Sequence, residues 1–379
     1  MPAAGFDVRR LFRLMEEAGA DVLLASSRHN IRYLTGGYYY PLYAWDAHTR
    51  GTQYLSFLAI PRGSLEEAFL VGRPGEREAL EEAELWLRRC HEGSAIGIRP
   101  AAAKAVEQLK ALGLDRGCIA VELPSLPAEA FQLLADGLPR ARLVDATPLL
   151  DAQRAVKSAR EIQVLREATR RNLAAVAAVL TSGRDGETTA QVAGRVAREF
   201  GGRELHFLYA LVCAGPGFFR IPSERRIWRR DNLLHIDTGG MLDGYIAETC
   251  RMGFLGRPSA LAERLLRACL ELEQAVLAAL RPGLPAKQVQ RCGDEFLRAH
   301  PLGSQGKFIA HGIGLVHHED PVIDLCRAEP LEAGMVLSLE MEFLHPDAGH
   351  VKVEDMAAIT DGGSELLSPG GGQWPLSSP

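Results

Sequence analysis

Five residues in the C-terminal half of the chain are of types that bind divalent metal ions: Asp237, Glu248, His311, Glu340 and Glu354. Each lies in strand-like or glycine-rich sequence and not in a charged surface run. Carboxylates are rarely buried unless they are paired or bound to a cation. Four of them with one imidazole therefore form a candidate site for one or two divalent ions. If they converge, the chemistry that they favour is metal-assisted hydrolysis.

Two of the acids flank a predicted hairpin turn. Asp237 lies in HIDTG, and Glu248 follows eleven residues later, across the turn signal MLDG. The two strands of a hairpin bring such residues close together if the register permits, and opposed carboxylates repel unless a cation lies between them. The alternative is a pair of solvent-exposed strand acids.

The remaining candidates lie in two apolar strands and one glycine-rich segment. Strand alternation places Glu340 of GMVLSLEMEF and Glu354 of HVKVEDMAAIT on the polar faces of otherwise apolar strands. His311 is followed by glycines at 312 and 314, which permit a close backbone approach around the imidazole. His318, seven residues further on, is a candidate for proton transfer or for stabilising an oxyanion.

The composition is that of an ordinary globular protein in two domains. The 379 residues are 47% hydrophobic and 24% charged, with a net charge of −5, which favours neither a nucleic-acid nor a membrane partner. The seven cysteines are scattered without a C-x-x-C pair, and we expect a reducing, cytoplasmic setting. We predict domains at 1–152 and 153–379.

The predicted elements support this division. Helix and strand patterns alternate over the first domain, which predicts an α/β fold with a mixed or parallel sheet and includes a helix at 77–89. The second domain reads as α+β, with long helices at 259–281 and 285–300 between groups of strands. A capping box is predicted at 188–191. The aromatic segment 38–48 is interpreted as packing between domains, a pocket wall or a subunit contact.

Several of these motifs together resemble the pita-bread metallopeptidases, a family that includes methionine aminopeptidase, aminopeptidase P, prolidase and the non-peptidase creatinase. The matching segments are NIRYLTG (30–36), HIDTGGMLDGYIAE (235–248), HGIGLVHHEDP (311–321), GMVLSLE (334–340) and VKVED (351–355). The resemblance implies an α+β pita-bread catalytic domain, preceded by a smaller α/β domain of the creatinase/prolidase type. It also implies a homodimer in which the N-terminal domain reaches the partner's site.

The resemblance further implies the chemistry. The five residues would bind two divalent ions (Mn, Co, Fe or Zn), and a bridging water would attack the carbonyl of a small peptide. Glu340 would transfer the proton, and His318 would stabilise the tetrahedral intermediate. The function implied is that of an Xaa-Pro dipeptidase or an aminopeptidase P. The candidate substrate-binding residues are Tyr245, Arg220, His317 and Lys352.

Three residues depart from the family pattern. Glu248 stands where the family has Asp, and Lys352 stands where it has Arg. The place of a substrate-contacting His falls near Arg220 and Ile221. The change at Glu248 makes the second metal site uncertain. Two alternatives stay open: a metal-free, creatinase-like hydrolase of a small amidine or guanidino compound, with His311 as the base, and a catalytically inactive relative that only binds.

Overall fold

The computed structural model describes residues 4–38, 54–93 and 97–368. The chain divides into two compact units, 1–154 and 155–379. Most of the aromatic segment 38–48 lies outside the described residues, so its predicted roles are not addressed by the structure.

The N-terminal unit is built on a mixed six-stranded sheet. Its strands are β1 (Val22–Ala25), β2 (Phe57–Pro61), β3 (Phe69–Gly72), β4 (Arg89–Glu92), β5 (Cys118–Val121) and β6 (Arg142–Asp145). Its helices are α1 (Val8–Glu17), α2 (Arg28–Thr35), α3 (Glu76–Glu82), α4 (Ile98–Ala111), α5 (Ala128–Gly137) and α6 (Thr147–Ala155). The strand order is β4-β3-β2-β1-β5-β6, with β1–β2 and β2–β3 antiparallel and the other pairs parallel.

The helix predicted at 77–89 is wrong in its second half. Helix α3 ends at Glu82, because Glu84 adopts a positive φ of 50° that a helix cannot accommodate. The chain then forms the edge strand β4, in which only Cys90 is buried. Helix α2 was not predicted at all.

The C-terminal unit holds the second sheet. Its helices are α7 (Ala159–Thr181), α8 (Thr189–Gly201), α9 (Ala260–Ala279) and α10 (Ala286–Ala299). Its strands are β7 (His206–Ala214), β8 (Leu233–Leu242), β9 (Tyr245–Phe254), β10 (Gly306–Gly312), β11 (Glu319–Val322), β12 (Val336–His345), β13 (Gly349–Thr360) and β14 (Gly363–Leu366). The order is β11-β10-β12-β13-β9-β8-β7, and β14 pairs with β13.

Each half of this sheet packs one face on its own pair of helices. In β8, Leu234 and Ile236 join the core formed with α7 and α8. In β12 and β13, Leu339 and Val353 join the core formed with α9 and α10. Because side chains alternate along a strand, the opposite face in each half is left to the residues between these apolar ones. The acids predicted to bind metal all lie on that free face.

Local capping fixes the ends of the helices that support this sheet. The predicted box at 188–191 is confirmed, since Thr188 and Gln191 exchange side-chain and backbone hydrogen bonds at the start of α8. A second capping box, of Ser158 and Glu161, begins α7. Among the described residues, none of the helices is both long enough and apolar enough to cross a bilayer.

Candidate active site

Five neighbouring strands carry the five predicted metal ligands. Asp237 lies in β8, Glu248 in β9, His311 in β10, Glu340 in β12 and Glu354 in β13. All but Glu340 are buried, and Glu340 is nearly so. The structure therefore brings together residues that are up to 117 positions apart in sequence, since the sheet pairs β13 with β9 across its middle.

The register differs from the expected pairing of acids. Asp237 is opposite Cys250, and Glu248 is opposite Gly239, so the two hairpin acids are diagonal neighbours and not directly opposed. The directly opposed acids are Glu340 and Glu354, on β12 and β13. Opposed carboxylates of this kind are unfavourable without a cation between them.

A buried asparagine holds the hairpin that carries Asp237 and Glu248. Asn172 of α7 donates from Nδ2 to the carbonyl oxygens of Thr238 and Ala247, at 3.3 and 3.0 Å. One side chain thus ties β8 and β9 to the helix beside the two acids. Asn172 was not predicted, because a single polar residue in a long helix gives no signal of its partners.

The acids line an open cavity of about 350 Å³. Its walls are Tyr209, Leu211, Arg220, Asp237, Glu248, His317, His318, Glu340, Lys352 and Glu354. Most of the predicted site residues thus border one space. Tyr245 is not among them: its hydroxyl donates to Glu161 at 2.9 Å, so its position gives the predicted substrate contact no support.

Lys352 lies among three of the acids. Its side chain is only 3% exposed, and Nζ lies 2.8 Å from Asp237 Oδ2, 2.6 Å from Glu340 Oε2 and 3.0 Å from Glu354 Oε2. Burial alone would lower the pKa of Lys352, but the three carboxylates raise it well above its usual value. The residue predicted to contact substrate is therefore an ammonium ion within the acidic cluster.

Arg220 provides a second positive charge at the same oxygen. Its Nη1 donates to Asp237 Oδ2 at 3.0 Å, and its side chain is 35% exposed at the cavity. Asp237 thus receives hydrogen bonds from both Arg220 and Lys352. The residues next to Arg220 in the sequence, Phe218, Phe219 and Ile221, are all exposed.

His311 is oriented for a ligand at Nε2. Its Nδ1 lies 3.1 Å from the carbonyl oxygen of Gly312, which places the ring proton on Nδ1 in the neutral form and leaves the Nε2 lone pair free. Nε2 lies 3.3 Å from both Glu248 Oε1 and Glu340 Oε1. A lone pair facing two carboxylate oxygens requires either a proton or a metal ion between them.

Two buried atoms of this group, Glu248 Oε1 and His311 Nε2, lack a hydrogen bond among the described residues, and Glu354 Oε2 lies 3.0 Å from the ammonium of Lys352. The ligand atoms of these three side chains lie within 4.8 Å of one another. Unsatisfied buried polar atoms are rare in folded proteins, and their convergence fits an ion with carboxylate and imidazole ligands.

The pKa values of the acids show where positive charge is lacking. Burial raises the pKa of Glu354 well above its usual value; Lys352 opposes this shift, and the neighbouring carboxylates add to it. Burial acts in the same direction on Glu340, but His311 and Lys352 bring its pKa to about 2. For Glu248, burial is outweighed by His317 and His311, which lower its pKa. A cation beside Glu354 would relieve the remaining imbalance.

The histidine pair of the glycine-rich segment lies at the cavity. His317 Nε2 contacts Glu248 Oε2, and this hydrogen bond raises the pKa of His317. His318 stacks on His317, and its ring centroid lies 4.0 Å from that of His311. Burial and the two neighbouring imidazoles lower the pKa of His318, so it is neutral near pH 7.

Tyr209 is a cavity residue that the sequence analysis missed. Its hydroxyl lies 3.4 Å from Glu248 Oε2 and 3.3 Å from His317 Nε2. Burial and the charge of Glu248 raise the pKa of Tyr209, which remains a phenol. The available signal was the strand alternation of LYALV, which puts Tyr209 on the same face as Leu211, the residue opposite Asp237.

A second group of potential ligands lies behind Asp237. Ligand atoms of His235, Asp237 and Cys250 also fall within 4.8 Å of one another. Burial lowers the pKa of His235 and raises that of Cys250. His235 stacks on His350, which in turn pairs with Glu342 at 2.8 Å. This group is a neutral imidazole and a neutral thiol, and its one acid is already engaged by Lys352 and Arg220.

Known proteins share this architecture. The family model described as Metallopeptidase family M24 matches residues 163–361, and that described as Creatinase/Prolidase N-terminal domain matches residues 8–156. A relative from Pyrococcus horikoshii, named Xaa-Pro dipeptidase, is 25% identical over 274 residues, which cover 70% of this chain and 75% of the relative.

Two solved structures extend the likeness to nearly the whole chain. The Xaa-Pro dipeptidase from Bacillus anthracis has a TM-score of 0.82 at 19% identity and covers 97% of this chain and 98% of its own. Dipeptidase PepE from Mycobacterium ulcerans has a TM-score of 0.76 at 26% identity and covers 98% of this chain and 99% of its own. The predicted two-domain pita-bread fold and the predicted class of peptide-bond hydrolase are confirmed, and the chain belongs to metallopeptidase family M24.

Proposed function

We propose that this chain cleaves the peptide bond of a short Xaa-Pro substrate, as a dipeptidase or an aminopeptidase P-like enzyme. The observation that carries the proposal is the convergence of buried ligand atoms from Glu248, His311 and Glu354, of which Glu248 and Glu354 line an open cavity. The names of the relatives from Pyrococcus horikoshii and Bacillus anthracis support the substrate class.

The donor set favours a divalent ion that accepts both oxygen and nitrogen ligands. Two carboxylates and one imidazole suit Mn(II), Fe(II), Co(II) or Zn(II). Glu340 lies beside this group, with Oε1 3.3 Å from His311 Nε2, and is a further candidate ligand. Bound there, a divalent ion would polarise the scissile carbonyl and generate a nucleophilic water at neutral pH.

Two side chains would manage the proton and the developing charge. Glu340 is ionised at neutral pH and lies 3.3 Å from His311 Nε2, where it can accept a proton and return it to the leaving nitrogen. His318 is neutral at that pH and can donate a hydrogen bond from its ring to the oxyanion of the tetrahedral intermediate.

Arg220 supports the choice of a small substrate with a free carboxylate. Its guanidinium borders the cavity and is partly exposed, while only one of its nitrogens is bonded to Asp237. A guanidinium presents several donors in a planar fork that matches a carboxylate. We assign Arg220 to the C-terminal carboxylate of a dipeptide.

A metal-free hydrolysis of a small amidine or guanidino compound is the second candidate. The ammonium of Lys352 favours it, because it already neutralises part of the acidic cluster. His311 would then act as the general base; burial lowers its pKa, but the neighbouring carboxylates of Glu340 and Glu248 raise it above its ordinary value.

One experiment separates these functions. The full chain is loaded with Mn(II), freed of excess ion, and assayed on Xaa-Pro dipeptides, matched Xaa-Ala dipeptides and guanidino compounds, with bound manganese measured in parallel. We expect bound manganese and selective Xaa-Pro cleavage that is lost in EDTA. Turnover of guanidino compounds without metal would establish the second candidate, and the absence of both metal and turnover would support the inactive relative.

The His318→Ala variant tests the assigned role of that residue. We expect turnover to fall by 10²-fold or more, as for the loss of an oxyanion donor, with bound manganese unchanged. The control is His206→Ala, at an exposed position in β7, which should leave both unchanged. Unchanged turnover in His318→Ala would remove its role.

The homodimer and the cytoplasmic location remain predictions. All seven cysteines are free thiols, which supports a reducing compartment.

A further inference from the structure

The ammonium of Lys352 occupies the centre of the acidic cluster in the way a metal ion would. Three carboxylates, from Asp237, Glu340 and Glu354, approach Nζ at 2.6–3.0 Å, from three different strands. Oxygen ligands surround a divalent ion in the same convergent manner, at about 2.0–2.6 Å. The position between β8, β12 and β13 is therefore filled by a cation that belongs to the chain itself.

We propose that the ammonium group of Lys352 takes the place of a second divalent ion, so that this chain binds one ion, at Glu248, His311 and Glu354. The inference rests on the proposed metal-dependent function. It differs from the pair of ions implied by the resemblance to the pita-bread peptidases.

The ligands divide accordingly into two sets. Asp237 Oδ2 already accepts hydrogen bonds from both Lys352 and Arg220, which leaves this oxygen poorly available to a metal. Glu248 Oε1 and His311 Nε2 have no hydrogen bond and lie 3.3 Å from each other. Glu354 faces both sets, since its Oε2 lies 3.0 Å from Lys352 Nζ and one of its carboxylate oxygens converges with the other two ligand atoms.

Lys352 makes a second ion in the acidic cluster less favourable. Its ammonium contacts Asp237, Glu340 and Glu354, and Arg220 adds a second positive charge at Asp237. A divalent ion placed among the same three carboxylates would bring two more positive charges beside the buried ammonium. Uncompensated buried charge is strongly unfavourable.

The lysine itself explains why this chain would differ from peptidases with arginine at the same place. A guanidinium is a planar fork that spreads its charge and binds a carboxylate from the side. An ammonium is a compact point charge on a flexible stem, and in this chain it enters the space between three carboxylates. In this chain the positive charge thus lies among the carboxylates themselves.

The test is the manganese stoichiometry of the full chain. Metal-free protein is titrated with MnCl2, bound manganese is determined by elemental analysis and calorimetry, and the bound ion is examined by electron paramagnetic resonance. We expect one ion per chain and the six-line spectrum of an isolated Mn(II). Lys352→Met, which shortens the side chain by one atom and removes its charge, should bind two ions and give an exchange-coupled spectrum.

A matched control is available in the same unit. Lys157 is also buried and ion-paired, to Glu319 at 2.9 Å, and Lys157→Met should still bind one ion. The measurement on the unmodified chain decides the matter even if Lys352→Met fails to fold.

Two ions of comparable affinity in the unmodified chain would overturn this inference and leave the proposed peptidase intact. One ion in a folded Lys352→Met variant would also overturn it. The absence of any bound ion in the unmodified chain would instead overturn the proposed metal-dependent function, and this inference with it.

Discussion

Replacing Lys352 by methionine should destabilise the metal-free protein, because three buried carboxylates lose their common partner. At 2.8 Å and an effective dielectric constant near 20, each contact of Nζ has a Coulomb energy of about 6 kcal/mol, much of it offset by the cost of burying the ammonium. Breaking a buried pair by removing one partner typically costs about 3–5 kcal/mol. We expect a loss of that size in the free energy of unfolding.

The assay is urea unfolding of both proteins in EDTA, followed by circular dichroism at pH 8 and pH 5. The loss in free energy of unfolding of Lys352→Met should be larger at pH 8 than at pH 5. At pH 5 some of the unpaired carboxyls take up protons, and the repulsion between them falls. Equal stability of the two proteins in EDTA at pH 8 would refute the reasoning, because it would show that the ammonium does not hold the carboxylates together.

Manganese should then reduce the deficit. A site filled at one hundred times its dissociation constant contributes about 2.7 kcal/mol. If Lys352→Met binds a second ion, manganese stabilises it about twice as much as it stabilises the unmodified chain. The difference in free energy of unfolding between the two proteins then falls by about 2.7 kcal/mol. Lys157→Met should lose a similar free energy of unfolding, but manganese should not reduce its loss relative to the unmodified chain. This control separates the stabilisation by a second ion from the general cost of breaking a buried ion pair.

Three further predictions follow from the contacts around the site. Manganese affinity should rise with pH, and manganese binding should release protons, because the raised pKa values of His311 and Glu354 mean that protons compete with the ion. Calorimetry in buffers of different ionisation enthalpy measures the proton release. A manganese affinity that does not change with pH would contradict this prediction. In the metal-free protein, Glu248→Gln should lower the titration midpoint of His317 towards 6.5, because the carboxylate that raises the pKa of His317 is gone. An NMR titration measures the midpoint. An unchanged midpoint would show that another group raises the pKa of His317. Asn172→Ala should reduce the free energy of unfolding, measured in urea, by about 2 kcal/mol, because two buried carbonyls lose a donor. The manganese stoichiometry should stay the same. A loss of less than half of that free energy would mean that the hairpin does not depend on this side chain.

The faces of the strands could be read from the sequence, but their register could not. The two-residue period correctly separated Leu339 and Val353, which pack on helices, from Glu340 and Glu354, which do not. The pairing of Glu340 with Glu354 depends on where β12 and β13 meet, which the turn between them sets. The same limit applies to the diagonal placement of Asp237 and Glu248.

The position of Lys352 shows a different limit. Its place two residues before Glu354 puts both on one face of β13, and the alternation in VKVE indicates this. Its contact with Asp237, 115 residues earlier, depends on the order of strands in the sheet, which no local pattern encodes. The sequence therefore identified the participants in the site but could not show that one of its own lysines lies among the acids.

The spread of the site over five strands has a consequence for how the protein gains its affinity for metal. No single hairpin supplies the three converging ligand atoms, because Glu248, His311 and Glu354 belong to β9, β10 and β13. An ion bound by all three would join both halves of the sheet, so fragments and partly folded chains should bind it weakly. Tight metal binding would thus require the fully folded sheet. Chelators should speed the local unfolding of strands far from the cavity as well as near it.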